Sequence, residues 1–255
     1  MVDGLCENCF KGVRHESTPE GNLGKIDTIA GVECYIATPT GDYPKDKVVL
    51  FLSDVFGIPL INNKLLVDDF ARNGYGTIMP DLFQGDPYPV DALTRTDFDR
   101  EAWRARHKPE TWERFVDTVV QALQAEGVTW IATTGYCFGA PPVWRLALKG
   151  WSKVSVITHP SRFRIPEDLQ EYFDQSKAPL LINSCEDDAA FPQEAQRVAD
   201  AVFSGSFSPS YKRTYWEGCS HGFAVRGDMS NPKVKAGKEG AFEATVKFFN
   251  KYRDL

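Results

Sequence analysis

The sequence predicts an α/β fold, a mostly parallel sheet with helices on both faces, and three observations carry that expectation. Apolar runs of strand length alternate with longer amphipathic segments, Gly or Pro punctuates the junctions, and the strand candidates are near-continuously apolar. Parallel strands buried on both faces read in this way. Taken in order, Gly31 to Pro39 (GVECYIATP) and Lys47 to Ser53 (KVVLFLS) are strands, Leu60 to Asn73 a helix, and Tyr75 to Pro80 a strand. A helix near Glu110 to Glu126, a strand at Val128 to Thr133 and a helix from Phe138 to Lys149 follow. The second half repeats the rhythm, with strands at Lys153 to Thr158, Pro179 to Ser184 and Ser210 to Trp216, and helices at Pro192 to Phe203 and Pro232 to Tyr252. Ligand sites in such sheets lie at the carboxyl ends of the strands.

The Gly-, Pro- and charge-rich residues 1–25 read as an N-terminal arm, and the polar segment Gln84 to Lys108 as a loop or short lid. No repeat, low-complexity tract or linker cuts the chain, so residues 1–255 are expected to form one domain. The 35 acids and 29 bases, net charge -6, collect into no long run of one sign. That excludes a nucleic-acid surface or a basic membrane patch and leaves a small-molecule substrate as the expected partner, on a monomer or homodimer. No stretch reaches the roughly 18 apolar residues of a membrane span, and MVDGLCENCF does not look like a secretory signal. A cytoplasmic location is expected, with the six cysteines reduced.

The run VTWIATTGYCFG ends in Gly135-Tyr136-Cys137-Phe138-Gly139, a G-x-S-x-G nucleophile elbow with cysteine in the serine position. The chemistry explains the pattern. A nucleophile at a sharp strand-to-helix turn is exposed, and glycines let strand and helix pass closely beside it. A helix beginning at once after Cys137 would favour a thiolate, and the Phe138 N–H would donate to an oxyanion. The alternative is a buried cysteine on a tight turn.

In the α/β-hydrolase layout an acid and then a histidine follow the nucleophile, each in a loop after a later strand. Both occur here. Cys185-Glu186-Asp187-Asp188 follows one strand and Cys219-Ser220-His221-Gly222 follows another, in a chain with four histidines. A thiol needs a base to remove its proton, and the base needs a carboxylate to orient its ring. His221 is the expected base and Asp188 the expected acid, with Asp187 and Glu186 as rivals.

These residues carry a resemblance to the dienelactone hydrolase family, especially its fungal branch, over nearly the whole chain. The matching blocks are Ser53-Asp54-Val55-Phe56-Gly57, Pro80-Asp81-Leu82-Phe83, the elbow, and Ser220-His221-Gly222-Phe223 with Arg226 beyond it. The family acid lies four residues before a proline, as Asp188 does before Pro192. The resemblance implies an α/β-hydrolase fold, an acyl-thioester intermediate, and no metal or organic cofactor. It assigns the oxyanion hole to the N–H groups of Val55 and Phe138, and it makes Asp54, where the family keeps a glutamate, the candidate proton acceptor. A cap on a helix starting near Ile58 is the other reading of Asp54. Phe56, Tyr136 and Arg226 are candidate substrate-binding residues.

Bacterial members hold the substrate carboxylate with two arginines. Only Arg226 has a counterpart here, one residue further from the histidine, and Gln84-Gly85 stands where the other arginine would fall. A lactone, ester or thioester of polyketide type is therefore expected in place of dienelactone, by analogy with fungal secondary metabolism. The alternative function is a binding protein that keeps the pocket without turnover; a redox role for Cys6-x-x-Cys9 is a third. Cys6 and Cys9 lack the second ligand pair a zinc site needs, beyond His15, so no metal is expected. Cys185 and Cys219 sit in the two catalytic loops but read as small buried residues. Trp103, Trp112 and Trp144 read as helix-packing aromatics, with the lining of an apolar pocket beside Tyr136 and Phe56 as the alternative, and His159-Pro160 closes a strand at the end that faces the cleft, without an assigned catalytic role.

Overall fold

The computed structural model describes residues 23–92, 95, 97–205 and 207–255. The N-terminal arm up to residue 22, with Cys6, Cys9 and His15, lies outside the described residues. Two compact units divide the chain between Thr129 and Trp130.

The first unit holds β1 (Lys25–Ile29), β2 (Val32–Ala37), β3 (Lys47–Leu52) and β4 (Gly76–Pro80), with α1 (Ile61–Arg72), α2 (Arg100–Arg106) and α3 (Pro109–Ala125). Its strand order is β1-β2-β4-β3, with β3 and β4 parallel and the other pairs antiparallel. Ala30 and Gly31 join β1 to β2 with φ of 47° and 85°, both left-handed, as a two-residue hairpin turn requires. β1 was not expected. Its sequence KIDTI is almost wholly exposed, so it has no buried face to show as an apolar pattern, and pairing with β2 makes it a strand. The buried Asp68 of α1 ties it to the chain entering β1, accepting from Leu23 N and Gly24 N at 3.0 Å and from the Tyr35 hydroxyl at 2.8 Å.

The segment Gln84 to Lys108, expected as a loop or lid, contains α2. Trp103 of α2 is fully buried and meets Phe83, Tyr88 and His107 at ring-centre distances of 5.5, 5.0 and 4.4 Å. Asp86 accepts from Arg106 and makes a 3.0 Å contact with His107 Nε2, while its backbone oxygen accepts from the Trp103 indole. These partners outweigh the cost of burying the Asp86 carboxyl and hold it below the usual carboxylate range.

The second unit is all parallel in the order β5-β6-β7-β8, formed by Trp130–Tyr136, Val154–Thr158, Leu180–Asp187 and Tyr211–Ser220. α4 (Ala140–Leu148), α5 (Glu167–Gln175), α6 (Gln193–Phe203), α7 (Phe223–Arg226) and α8 (Pro232–Lys251) complete it. Every residue of β5 and β6 is buried, which is why both read as mostly apolar runs broken only by small hydroxyl residues. Among the described residues β8 pairs with β7 alone, and it carries exposed Lys212 and Glu217, charges that discourage edge-to-edge association.

Three expectations about this unit need correction. β5 runs to Tyr136, past its expected end at Thr133, because it pairs with β6 as far as Thr158. α5 was missed, since only Leu169 and Tyr172 of its nine residues are buried. The helix expected from Phe138 begins at Ala140, after a 3-10 turn at Cys137–Gly139. Pro141 and Pro142 have no N–H for the carbonyls of Cys137 and Phe138, so the α pattern cannot extend back through the elbow. Ala140 N bonds the Cys137 carbonyl in its place. Among the described residues no helix is long and apolar enough to cross a membrane.

Candidate active site

Cys137 stands between the end of β5 and α4 with φ of 51°, a left-handed conformation that costs energy for any residue with a side chain. Gly135 makes the turn possible. A Cβ there would lie 2.2 Å from the Gly139 carbonyl oxygen and 2.7 Å from Val143 Cγ2, inside any allowed contact. Gly139 itself has an ordinary φ of -73°. The cysteine is buried, and its sulfur lies 3.6 Å from the Ser161 hydroxyl.

β7 delivers Asp188 and β8 delivers His221. Their side chains meet with His221 Nδ1 2.8 Å from Asp188 Oδ1, both fully buried. The same carboxylate oxygen accepts from the N–H groups of Ala190 and Phe191 at 2.9 and 3.1 Å, so the loop after β7 holds it in place. The rivals point elsewhere. Glu186 accepts from Gly218 N at 2.7 Å, and Asp187 is exposed, with its backbone oxygen on His221 N. β7 and β8 both run further than their apolar stretches, to Asp187 and Ser220, which pair after a register shift and set the acid and the histidine side by side.

His221 Nε2 has no nitrogen or oxygen partner among the described residues. Burial alone would push the imidazole down. The Asp188 carboxylate and the Cys137 sulfur outweigh it and hold the His221 pKa well above the ordinary imidazole range. An imidazole so placed is able to accept a proton from a thiol.

Cys185 donates to Asp188 Oδ2 across 3.8 Å, and burial beside that carboxylate pushes its thiol far up. Burial also raises the Cys219 thiol to about 11, and its sulfur sits against the Lys233 carbonyl. Neither is poised as a nucleophile. Trp144 packs on Tyr172 and Phe163 at 4.2 and 4.7 Å, as a helix-packing aromatic should.

His159, which sequence reasoning left without a role, closes β6 with φ of 37° and is completely buried. Its ring meets His221 edge-on at 5.0 Å and packs near Tyr136 and Phe223 at 5.9 and 5.6 Å. Neither ring nitrogen has a partner among the described residues. Burial, with His221 and Arg226 nearby, holds it well below the usual range, hence neutral. Arg226, on α7, is buried too, and the Arg162 guanidinium covers the Phe138 ring at 4.9 Å. Ser161 was missed altogether. Its only signal is a hydroxyl at the carboxyl end of a strand, where ligands bind in such folds.

In the first unit, Asp54, Val55 and Phe56 follow β3 and are all buried. Asp54 does not cap α1, which starts at Ile61. Its Oδ1 accepts from Phe56 N at 3.1 Å and from the Asn63 side chain at 2.9 Å. Val55 O accepts from Tyr88 N, and the Phe56 and Tyr88 rings meet edge-on at 6.4 Å. No three His, Cys, Asp or Glu side chains among the described residues cluster in a way that could hold a metal ion.

The sequence profile of the dienelactone hydrolase family matches residues 32–253. The chain belongs to the dienelactone hydrolase family. Similar curated relatives of this dienelactone hydrolase family member include hydrolase pyvD of Aspergillus violaceofuscus, 34% identical over 96% of this chain and 95% of the relative. Hydrolase tropI of Talaromyces stipitatus is 33% identical, with the same coverage of both chains. The putative dienelactone hydrolase of Klebsiella pneumoniae superposes with a TM-score of 0.71 over 90% of this chain and 99% of its own. At 17% identity that likeness shows the fold, an α/β-hydrolase fold with a mostly parallel sheet. Membership of the family makes the protein a hydrolase.

Proposed function

We propose that this family member cleaves a small lactone, ester or thioester with Cys137 as nucleophile, His221 as base and Asp188 as the orienting acid. The observation that carries the reading is the buried 2.8 Å contact from Asp188 to His221, together with Cys137 held at a left-handed elbow after β5.

The steps follow from those positions. His221 takes the proton of the Cys137 thiol, and the sulfur attacks the acyl carbon, with the Phe138 N–H donating to the oxyanion. The C–O or C–S bond to the leaving group breaks, and His221 returns the proton to the departing oxygen or sulfur. A water then gives its proton to His221 and attacks the thioester, the carboxylic acid is released, and the proton returns to sulfur. The family pattern supplies Val55 as second oxyanion donor and Asp54 as a proton acceptor. Arg226, Tyr136 and Phe56 are the proposed substrate contacts. With Gln84-Gly85 where bacterial members have an arginine, a neutral, polyketide-like acyl compound is a better candidate than a dicarboxylate.

Hydrolysis of an activated aryl ester, with intact mass recorded, tests this. Wild type should turn over and trap an acyl group on Cys137, while Cys137→Ala should do neither. Normal turnover by Cys137→Ala would overturn the reading and favour a binding protein.

A further inference from the structure

The carboxyl end of β6 presents the segment His159-Pro160-Ser161 to the elbow, and Ser161 touches Cys137 twice. Its N–H donates to the Cys137 carbonyl oxygen at 3.3 Å, an oxygen that Pro141 cannot serve, and its hydroxyl lies 3.6 Å from the sulfur. Ser161 is fully buried, and the Cys137 sulfur is the one side-chain partner of its hydroxyl among the described residues. A hydroxyl rotor that a buried fold directs at one sulfur atom is placed to follow that atom's charge.

We propose that Ser161 is a further catalytic residue of this site, whose hydroxyl donates to the Cys137 sulfur and stabilises the thiolate formed when the proton passes to His221. The inference rests on the hydrolase reading given above. Sulfur accepts weakly as a thiol and far better as an anion, and hydrogen bonds to ions are roughly twice as strong as neutral ones. The contact therefore strengthens as the S–H proton leaves, weakens when the thioester forms, and strengthens again when the thiolate departs from the acyl group. The hydroxyl proton stays on Ser161 throughout. The titratable and charged groups around the elbow among the described residues include His221, on which the sulfur and Asp188 act, neutral His159 against the His221 ring, and Arg226 near His159.

The pH profile that reads the Ser161 contact needs no substrate. Alkylation of Cys137 by iodoacetamide, located by peptide mass, is followed from about pH 5 to about pH 10 in wild type, Ser161→Ala and Ser161→Thr. Ser161→Ala should raise the midpoint of the rate profile by about one pH unit. Below the midpoint the thiolate fraction falls about tenfold and its nucleophilicity rises, leaving alkylation about threefold slower; above it, alkylation is as fast or faster. Ser161→Thr should restore the wild-type midpoint, and Ser161→Gly supplies the same loss should the alanine chain not fold. An unchanged midpoint, or an equal slowing at every pH, would show a merely structural serine and overturn the proposal. Ester turnover in wild type separates the two readings. Turnover with an unchanged midpoint removes the role of Ser161 alone, whereas a shifted midpoint without turnover removes the catalytic reading of the site.

Discussion

Asp188 shows how one side chain is held in place by several neighbours. Two backbone N–H groups and the His221 ring converge on Oδ1, and the Cys185 thiol takes Oδ2. Asp188→Asn removes the charge that lifts the imidazole and offers an amide that can turn its NH2 toward Nδ1, favouring the wrong tautomer. Activity on an aryl ester should fall by about a thousandfold or more, mostly in kcat, with a far smaller change in the urea midpoint. A loss under about tenfold would mean that His221 does not depend on this carboxylate. The elbow was legible at this scale because Gly135, Cys137 and Gly139 fall within five consecutive residues and the steric demand on Gly135 is local. Ser161 was not, because its partner is 24 positions away on a different strand.

Elements tell the same story through packing. α2 is seven residues long, too short to persist on propensity, and it forms because Trp103 is driven into the cluster of Phe83, Tyr88 and His107. Trp103→Ala should destabilise the protein by about 3–5 kcal/mol in urea unfolding and expose the segment Gln84 to Lys108 to protease. A loss below about 1 kcal/mol would show that α2 is held by the Asp86 contacts instead. The charged residues of this segment hid the helix, since one buried tryptophan among them gives no amphipathic period. α5 and β1 escaped for related reasons: α5 buries two residues, and β1 is defined by the partner it pairs with.

Over the whole molecule, two buried histidines make stability depend on pH in opposite senses. His221 has a folded pKa above its unfolded value, so its contribution is full below about pH 6.5 and is lost as pH rises through the folded pKa. His159 has a folded pKa below its unfolded value. Under about pH 6.5 the unfolded chain takes a proton that the folded protein refuses, so stability is lost as pH falls toward the folded pKa. His159→Phe should therefore flatten the acid decline between about pH 6.5 and about pH 5, by up to about 1.4 kcal/mol per pH unit. Urea unfolding at several pH values reads the slope, and parallel slopes for the two proteins would mean that His159 is protonated in the folded state.

The sequence alone determined the α/β class, the order of most elements and the elbow, because alternation of apolar runs and a five-residue turn are local properties of the chain. It also placed Asp188 and His221 in loops that the structure brings together, since those loops follow recognisable strands. The family spacing favoured Asp188, and tertiary structure showed that it, in preference to Glu186 or Asp187, reaches the histidine. That choice depends on how far β7 and β8 stay paired beyond Cys185 and Trp216, and pairing is a property of two strands at once. Tertiary structure likewise brought Ser161 to the sulfur and His159 to His221, contacts that exist only when the parallel strands β5, β6 and β8 end at the same level of one sheet.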